Sequence, residues 1–154
     1  GTQIELEDKA GHGDVALLAQ SETGLVNLSQ LLSKILFSTD AGQTPTCAVE
    51  DLADYGDGLI LLTGGALNGF VGGAAGDGRA KLAQQRLERL TAILPDRLYI
   101  ELQRHGLPAE IASEPHLLEF ADRMNLPLAA TNDCRFEDPS MSQPHDTLVC
   151  IGAS

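Results

Sequence analysis

Short apolar runs alternate along this chain with segments in which apolar residues recur every three or four positions. Five stretches have the length and composition of strands, at 3–6, 14–19, 58–63, 97–103 and 128–131. The runs 14–19 and 58–63 are almost continuously apolar, which is typical of strands buried on both faces. We therefore predict that these two strands lie inside a sheet.

Helical periodicity follows several of the predicted strands. One helix is predicted after a cap at Ser21, and another before Pro95, which ends it. A short helix is predicted from a cap at Thr46, and a longer one from a cap at Ser113 to a left-handed Asn125. The apolar positions that support these helices are Leu25, Leu28, Leu32, Ile35, Val49, Leu52, Ala53, Ala83, Leu87, Leu90, Leu94, Leu117, Ala121 and Met124.

Strands separated by helices imply an α/β fold whose sheet is mostly parallel and whose crossovers are right-handed. The segment 145–151 adds a final helical turn or two. This pattern fits either an open doubly wound sheet or part of a barrel. In both architectures, side chains just beyond the carboxyl ends of strands carry function. Functional residues are therefore expected after Leu6, after Ala19, after Thr63 and at 132–135.

The composition narrows the class of protein. With 154 residues, the chain is predicted to form a single domain, 1–154. A net charge of −12 argues against a general DNA-binding surface, although a local basic strip at Arg86, Arg89 and Arg97 stays open. Three widely spaced cysteines without a Cys-x-x-Cys pair indicate reduced thiols and a cytoplasmic location. No apolar run reaches the roughly 20 residues that span a membrane.

A glycine-rich segment, 64–78, holds seven glycines between a predicted strand and a predicted helix. That position suits a loop that cradles a phosphate. The segment lacks the Gly-Lys-Ser/Thr ending of a P-loop, and it is too long for the tight turn of a dinucleotide site. We therefore favour a flexible connection over a nucleotide site.

Two further places carry candidate chemistry. If Tyr99, Glu101 and Gln103 share one face of their strand, that face lines either a cleft or a solvated edge, and the sequence leaves both open. No two histidines have the spacing of a local metal site. His105 lies just after this strand, where a functional side chain is credible, although a structural role is favoured.

Asp133 is the best candidate carboxylate, because it follows a buried strand at a position where oxygen could hold a metal. Arg135 shares its face if the segment is extended. A guanidinium there repels a metal and can pair with the carboxylate instead. An Asp133–Arg135 ion pair is therefore at least as well supported as a metal site, and we predict the pair.

Five motifs occur in a fixed order along the chain. They are LLAQSETGLVNLSQLLS, GLILLTGG, DRLYIELQRHG, LPLAATNDCRF and HDTLVCI, which begin at positions 17, 58, 96, 126 and 145. Together they resemble the PHP (polymerase and histidinol phosphatase) domain of bacterial DNA polymerase III alpha subunits over almost the whole chain. The strings ELQRHG and ATND at their mutual spacing are the most specific part of this resemblance.

The resemblance implies the later part of a distorted (β/α)7 PHP barrel. Because the chain begins directly in a predicted strand, the upstream strands and the downstream polymerase domains are expected in a longer protein. Active members of the family hold metal with a glutamate, a histidine, a cysteine, an aspartate and a histidine. The corresponding residues here are Gln3, Asp14, Gly65, Asp133 and Arg135, so only Asp133 keeps the ligand type.

The resemblance therefore implies a fragment that acts in DNA replication, with a PHP part that is non-catalytic and serves structure or interaction. Nucleotidyl transfer belongs to the parent DNA-directed DNA polymerase, and no catalytic residue is assigned here. No cofactor is expected, with a residual divalent metal at Asp133 as the alternative. The expected partners are the other domains of the alpha subunit, the proofreading exonuclease subunit, and DNA through the parent protein alone.

Two alternatives from other classes remain at this point. One is an active metal-dependent phosphoesterase, of the 3′–5′ exonuclease or pyrophosphatase type, that uses Asp133, Asp14 and His105 as a rearranged site. The other is a nucleotide-binding domain that uses the glycine-rich segment. A partial barrel also exposes strand edges, so self-association of the fragment through such an edge is predicted.

Overall fold

The computed structural model describes residues 1–134 and 137–152. Its strands are β1 (Thr2–Asp8), β2 (Gly11–Ala19), β3 (Thr46–Ala48), β4 (Leu59–Leu62), β5 (Leu98–Leu102) and β6 (Leu128–Ala130). Its helices are α1 (Glu22–Ser38), α2 (Asp51–Tyr55), α3 (Gly72–Gly76), α4 (Ala80–Ile93), α5 (Pro108–Met124) and α6 (Ser142–Gly152), with a 3₁₀ turn at Pro139–Met141.

One sheet contains all six strands of the described residues, in the order β3-β1-β2-β4-β5-β6. The pairs β1–β3, β4–β5 and β5–β6 are parallel, and only β2 runs against its neighbours. The prediction of an α/β fold with a mostly parallel sheet is therefore confirmed. The carboxyl ends of β1, β4, β5 and β6 consequently meet at one edge of the sheet.

The hydrophobic core lies between one face of the sheet and helices α1 to α5. Large side chains that are completely or almost completely buried there include Leu6, Leu17, Leu31, Leu52, Leu61, Phe70, Leu87, Leu90, Leu98 and Ile100. The prediction that strand 14–19 is buried on both faces is wrong. Val15 and Leu17 are buried, whereas Leu18 is 41% exposed, because the helices cover a single face.

Three local predictions also differ from the structure. Thr46 begins strand β3 instead of capping a helix, because it pairs with Glu5 of β1. Ser113 is buried inside α5, which begins earlier, at Pro108, where the fixed φ of proline suits a first turn. Leu25 faces solvent, and the α1 residue that packs in the hydrophobic core in its place is Leu31. By contrast, Ser21 accepts the N–H of Gly24 at 3.1 Å and caps α1 as predicted.

The glycine-rich segment is a packed layer, so the prediction of a flexible connection is wrong. The Asp14 N–H donates to Asn68 O at 2.7 Å, and the Phe70 N–H donates to Asp14 O at 2.9 Å. Gly64 has a φ of +81°, and a Cβ there would lie 2.1 Å from Asp14 O. The segment therefore lies directly against β2, and close backbone contact leaves no room for a side chain at Gly64, Gly69 and Gly72.

The three arginines considered as a basic strip all pair with carboxylates. Arg86 is buried against Asp8, Arg89 binds Glu50, and Arg97 binds Asp57. Their charges are therefore neutralised locally, and they do not form a strip for phosphates. In the part of the chain that the structure describes, no helix has the length and apolar character to cross a membrane.

Candidate functional site

A polar pocket of about 220 Å³ opens at the edge where the carboxyl ends of the parallel strands meet. Its polar and glycine lining comprises Gln3, Asp14, Gly64, Gly65, Asn68, Gly69, Glu101, Gln103, Thr131, Asn132 and Asp133. Four of the five positions taken from the family resemblance thus come together, namely Gln3, Asp14, Gly65 and Asp133. The fifth, Arg135, lies outside the described residues, so the predicted Asp133–Arg135 ion pair stays a prediction.

The sheet explains why residues so distant in sequence meet here. Gln3 and Asp14 lie on neighbouring antiparallel strands, with Gln3 opposite Ala16 and Asp14 opposite Glu5. Gly65 follows β4, and Asp133 follows β6, both at the same edge. Gly65 and Asp133 thus lie just beyond the carboxyl ends of strands, where functional side chains are expected in α/β folds.

Glu101 lies at the centre of a hydrogen-bond network in this pocket. Its Oε1 accepts the Thr131 hydroxyl at 2.5 Å and the Gln103 amide at 3.2 Å. Its Oε2 accepts the Gly64 N–H at 3.1 Å. Glu101 is only 8% exposed, so both carboxylate oxygens are satisfied by protein donors inside the fold. This arrangement meets the requirement that a buried charge be hydrogen-bonded.

The location of Glu101 also decides between the two interpretations of its strand. β5 lies between β4 and β6, so it is an interior strand rather than a solvated edge. Glu101 and Gln103 both line the pocket, which makes the cleft interpretation correct. Glu101 is not among the five positions taken from the family resemblance. The sequence feature that points to it is a carboxylate flanked by apolar residues in a predicted strand.

Gln103 fills space that Gly65 leaves open. A Cβ on Gly65 would lie 2.5 Å from Gln103 Oε1 and 2.9 Å from Gln103 Cδ. A cysteine at position 65 and the present Gln103 conformer therefore exclude each other. The absence of a side chain at position 65 and the inward position of the Gln103 amide therefore depend on each other.

The comparisons with known proteins agree with this geometry. A model of the PHP domain family matches residues 1–105. The chain belongs to the PHP domain family. The DNA polymerase III subunit alpha of Caulobacter vibrioides is 40% identical over 135 residues, which cover 88% of this chain and 12% of that protein. The predicted resemblance is therefore confirmed, and the sheet is consistent with part of a PHP barrel.

Two further relatives carry the same name. The DNA polymerase III subunit alpha of Rickettsia bellii is 34% identical over 99% of this chain and 13% of its own length. That of Escherichia coli K12 is 34% identical over 95% of this chain and 12% of its own length. The PHP chain therefore spans about an eighth of the length of these curated relatives.

The donor set of the PHP pocket does not fit a metal cluster. Within 1–134 and 137–152, no group of three His, Cys, Asp or Glu side chains is placed to hold a metal ion. Gln3 offers a neutral amide, and Gly65 offers no side chain. Glu101 already accepts three protein hydrogen bonds. These residues match a protein hydrogen-bond network better than the cysteine, histidine and carboxylate sets that hold zinc or the carboxylate-rich sets that hold calcium and magnesium.

His105 lies beside the PHP pocket and is held from two sides. Its Nδ1 bonds Glu110 Oε1 at 2.7 Å, and its Nε2 bonds the side-chain oxygen of Asn132. Both ring nitrogens are therefore hydrogen-bonded to protein oxygens, which leaves neither with a free lone pair for a metal. This geometry does not support the rearranged catalytic site of Asp133, Asp14 and His105.

The pKa values of His105 and Glu110 shift in opposite directions. The hydrogen bond that the ring donates to Glu110, and then the one that it donates to Asn132, raise the pKa of His105, with a smaller effect from the charge of Asp133. Burial raises the pKa of Glu110, but the N–H groups of Leu107 and His105 and the His105 ring outweigh it, so that pKa is lowered. The ring is thus favoured in its charged form, donating to both neighbours.

A pH dependence of stability follows from this pair. The stabilisation of the folded state by the His105–Glu110 ion pair is complete below the ordinary histidine pKa of 6.5, and it is lost as pH rises through the raised pKa of folded His105. On the acid side it is complete above 4.5 and is lost as pH falls through the lowered pKa of Glu110. An NMR titration of the imidazole should place the His105 pKa above 6.5, and Glu110→Gln should bring it down.

Glu114→Gln is the matched control for that titration, because it removes the same charge one helical turn away. Both oxygens of Glu114 bind Arg104 instead of His105. A His105 ring that titrates at or below 6.5 in the folded chain, or responds equally to both variants, would contradict the prediction.

Removal of the Thr131 hydroxyl tests the Glu101 network. Thr131→Val is expected to lower the free energy of unfolding by about 1–3 kcal/mol, because it leaves a buried carboxylate without its shortest hydrogen bond. Urea unfolding measures the change. Thr147→Val is the control, since that hydroxyl bonds Gln143 O on an exposed helix. Equal small effects of the two variants would argue against a network of structural importance.

Proposed function

We propose that this chain is the PHP part of a DNA polymerase III alpha subunit that acts in DNA replication, and that its pocket is structural rather than catalytic. The observation that carries the proposal is the Glu101 carboxylate, whose two oxygens are satisfied by Thr131, Gln103 and the Gly64 N–H. The centre of the pocket is thus closed by protein groups. Its relatives, which are named DNA polymerase III subunit alpha, support the role in replication.

The chemistry of the candidate ligands supports a silent site. Metal-assisted hydrolysis needs a cation that lowers the pKa of bound water, and the protein must hold that cation with anionic or imidazole ligands. Here two of the five positions carry an amide and a glycine, and a third carries Arg135. We propose that Arg135 supplies the positive charge beside Asp133 that a metal would otherwise bring.

The proposed partners follow from the fragment's place in a longer protein. The remaining domains of the alpha subunit are the first, and the proofreading exonuclease subunit is the second. DNA is contacted through the parent protein, which fits the net charge of −12 on this part. We place the parent protein in the cytoplasm, as its reduced cysteines also suggest.

Metal analysis tests the silent pocket. After dialysis, the chain is expected to hold zinc or manganese well below one equivalent and to lack phosphoesterase activity on a nitrophenyl phosphodiester. Arg135→His is expected to raise the metal content, because it exchanges a cation for an imidazole. Asp133→Asn in the Arg135→His background is the control, and it should remove that gain.

The opposite result would establish the phosphoesterase alternative. One equivalent of metal in the unmodified chain, with phosphoesterase activity that Asp133→Asn abolishes, would overturn the proposal. The docking part is tested separately by a pull-down of the proofreading exonuclease with the alpha subunit's complete PHP domain, where no binding would count against it.

A further inference from the structure

One asparagine of the glycine-rich segment, Asn68, stands directly before a glycine. In this dipeptide the main-chain nitrogen most readily attacks the side-chain amide, because glycine has no side chain that hinders the approach. The other three asparagines of the sequence precede leucine or aspartate, at positions 27, 125 and 132. Asn68–Gly69 is therefore the place in this chain where the sequence most favours deamidation.

Deamidation at this dipeptide proceeds through a succinimide ring. The Gly69 nitrogen gives its proton to a base and bonds to the side-chain carbonyl carbon of Asn68, and ammonia leaves. Water then opens the ring at one of its two carbonyl groups. One cleavage gives aspartate, and the other gives isoaspartate, in which the main chain runs through the side-chain carbons and is one carbon longer.

The two reacting groups differ in their access to solvent in the fold. The Asn68 side chain is exposed at the rim of the PHP pocket, so water reaches its amide. The Gly69 N–H, by contrast, donates to Gly65 O at 2.9 Å. On the other side of the same peptide group, Asn68 O accepts the Asp14 N–H at 2.7 Å. The peptide group that must rotate for ring closure is thus held from both sides.

Close packing opposes the same rotation. Gly69 is buried, and a Cβ on it would lie 2.3 Å from Gly64 C and from Gly65 O. The next residue extends the contact with β2, since the Phe70 N–H donates to Asp14 O at 2.9 Å. Ring closure therefore requires that the segment first leave β2, which needs a local opening but not the unfolding of the whole domain.

We propose that Asn68–Gly69 is a site of spontaneous deamidation that closure of the glycine-rich segment on β2 suppresses, and that its isoaspartate product holds the segment open. The extra main-chain carbon has no place where backbone packs on backbone at Gly64 and Gly69. The aspartate product keeps the ordinary main chain and can close, although it adds a carboxylate to a pocket that Asp14 and Asp133 also line. Isoaspartate formation is therefore a lasting opening of the PHP pocket.

Peptide-mapping mass spectrometry of the full chain in mildly alkaline buffer is the first test. Asn68 should deamidate at least about tenfold more slowly in the folded chain than in the urea-unfolded chain, because only the locally open fraction reacts. In the unfolded chain Asn68 should react well before Asn125, which precedes leucine and is the internal control. Equal rates at Asn68 in the folded and unfolded chains would contradict the proposed protection.

Gly72→Ala tests whether the protection comes from this packing. A Cβ at position 72 would lie 2.6 Å from Gly64 O and from Gly65 O, so the segment should loosen. The rate at Asn68 in the folded variant should then rise about tenfold or more. Circular dichroism establishes that the variant is folded under the conditions of the measurement.

Gly73→Ala is the matched control, because it makes the same change one residue away. Its Cβ would lie 3.2 Å from the nearest atom, Leu67 O, and should alter the rate much less. Equal acceleration by both variants would contradict the proposal. If Gly72→Ala does not fold, hydrogen exchange of the unmodified chain replaces it. A Gly69 N–H that exchanges as fast as in an unfolded chain would then show that the attacking nitrogen is not protected.

Hydrogen exchange of the separated products tests the second half of the proposal. In the isoaspartate fraction, the N–H groups of Asp14 and Phe70 should lose their protection, because the segment no longer closes on β2. Asn68→Asp is the control, since it has the charge of the products with an ordinary main chain, and it should retain that protection. Protected N–H groups in the isoaspartate fraction, or unprotected ones in Asn68→Asp, would overturn the proposal.

Discussion

Asp8→Ala is expected to lower the free energy of unfolding by about 3–5 kcal/mol, because it leaves a buried guanidinium without its counter-ion. Arg86 is only 3% exposed. Its Nε and Nη2 donate to the two Asp8 carboxylate oxygens, each at 2.9 Å. The same guanidinium donates to Phe70 O at 2.7 Å and to Gly11 O at 3.0 Å, and it lies 4.0 Å from the Phe70 ring centroid.

These contacts show why the loss should be large. Arg86 joins helix α4 to the turn between β1 and β2 and to the glycine-rich segment, so three parts of the fold depend on its position. Asp57→Ala is the matched control, because it breaks a carboxylate–arginine pair on the surface, where Asp57 meets Arg97. Urea unfolding should show almost no change for that variant.

The penalty of Asp8→Ala should also depend on pH. Burial raises the pKa of Asp8, but the hydrogen bonds from Arg86 and from the Ala10 N–H outweigh it and leave the pKa below its ordinary value of 3.8. The ion pair therefore contributes fully above pH 3.8, and the contribution is lost as pH falls through the lowered pKa. A penalty as large well below that lowered pKa as at pH 7 would contradict this explanation.

An apolar double replacement separates the charge from the packing. Asp8→Leu combined with Arg86→Met removes both charges and retains much of the volume, and such exchanges are often close to neutral. We expect the double variant to be clearly more stable than Asp8→Ala. If it were equally unstable, the hydrogen bonds of Arg86 to Phe70 O and Gly11 O would be the dominant interaction.

Gly24→Ala is expected to lower the free energy of unfolding by about 2–4 kcal/mol. A Cβ at this position would lie 1.9 Å from Gly58 O and 2.5 Å from Gly58 C, which are backbone atoms that no rotamer change can move. Gly58 in turn accepts the Gln20 N–H at 2.9 Å. The first turn of α1 would have to move away from the start of β4, and the Ser21 cap would move with it.

Gly152→Ala is the matched control for that variant. It makes the same chemical change near the end of α6, where, among the described residues outside its own helix and chain neighbours, no atom lies within 4 Å of the added Cβ. Thermal unfolding should show little change or a slight gain, because alanine favours helix over glycine. A Gly24→Ala chain as stable as the unmodified one would show that α1 and β4 can separate without loss.

Local patterns predicted much of the fold. Ser21 caps α1, Asn125 ends α5 with a φ of 53°, and the run GLILLT contains β4. Each feature depends on a few neighbouring residues, so the sequence carries it directly. The cap of α5 was missed because its partner is the Glu110 side chain, which accepts the N–H groups of Leu107 and His105.

The sequence by itself determined the family, the alternation of strands with helices, and the strand ends at which Gly65 and Asp133 would be found. It did not place Asp14 there, because β2 runs against its neighbours and its carboxyl end, after Ala19, lies at the opposite edge. The tertiary structure decided which polar groups satisfy one another in the pocket. Glu101 is held by Thr131, 30 positions away, and by Gly64, 37 positions away. Such bonds depend on strand order and register, which local periodicity does not encode. The packing of the glycine-rich segment against β2 has the same cause, since a glycine shows in sequence only that space is needed, and not which neighbour occupies it.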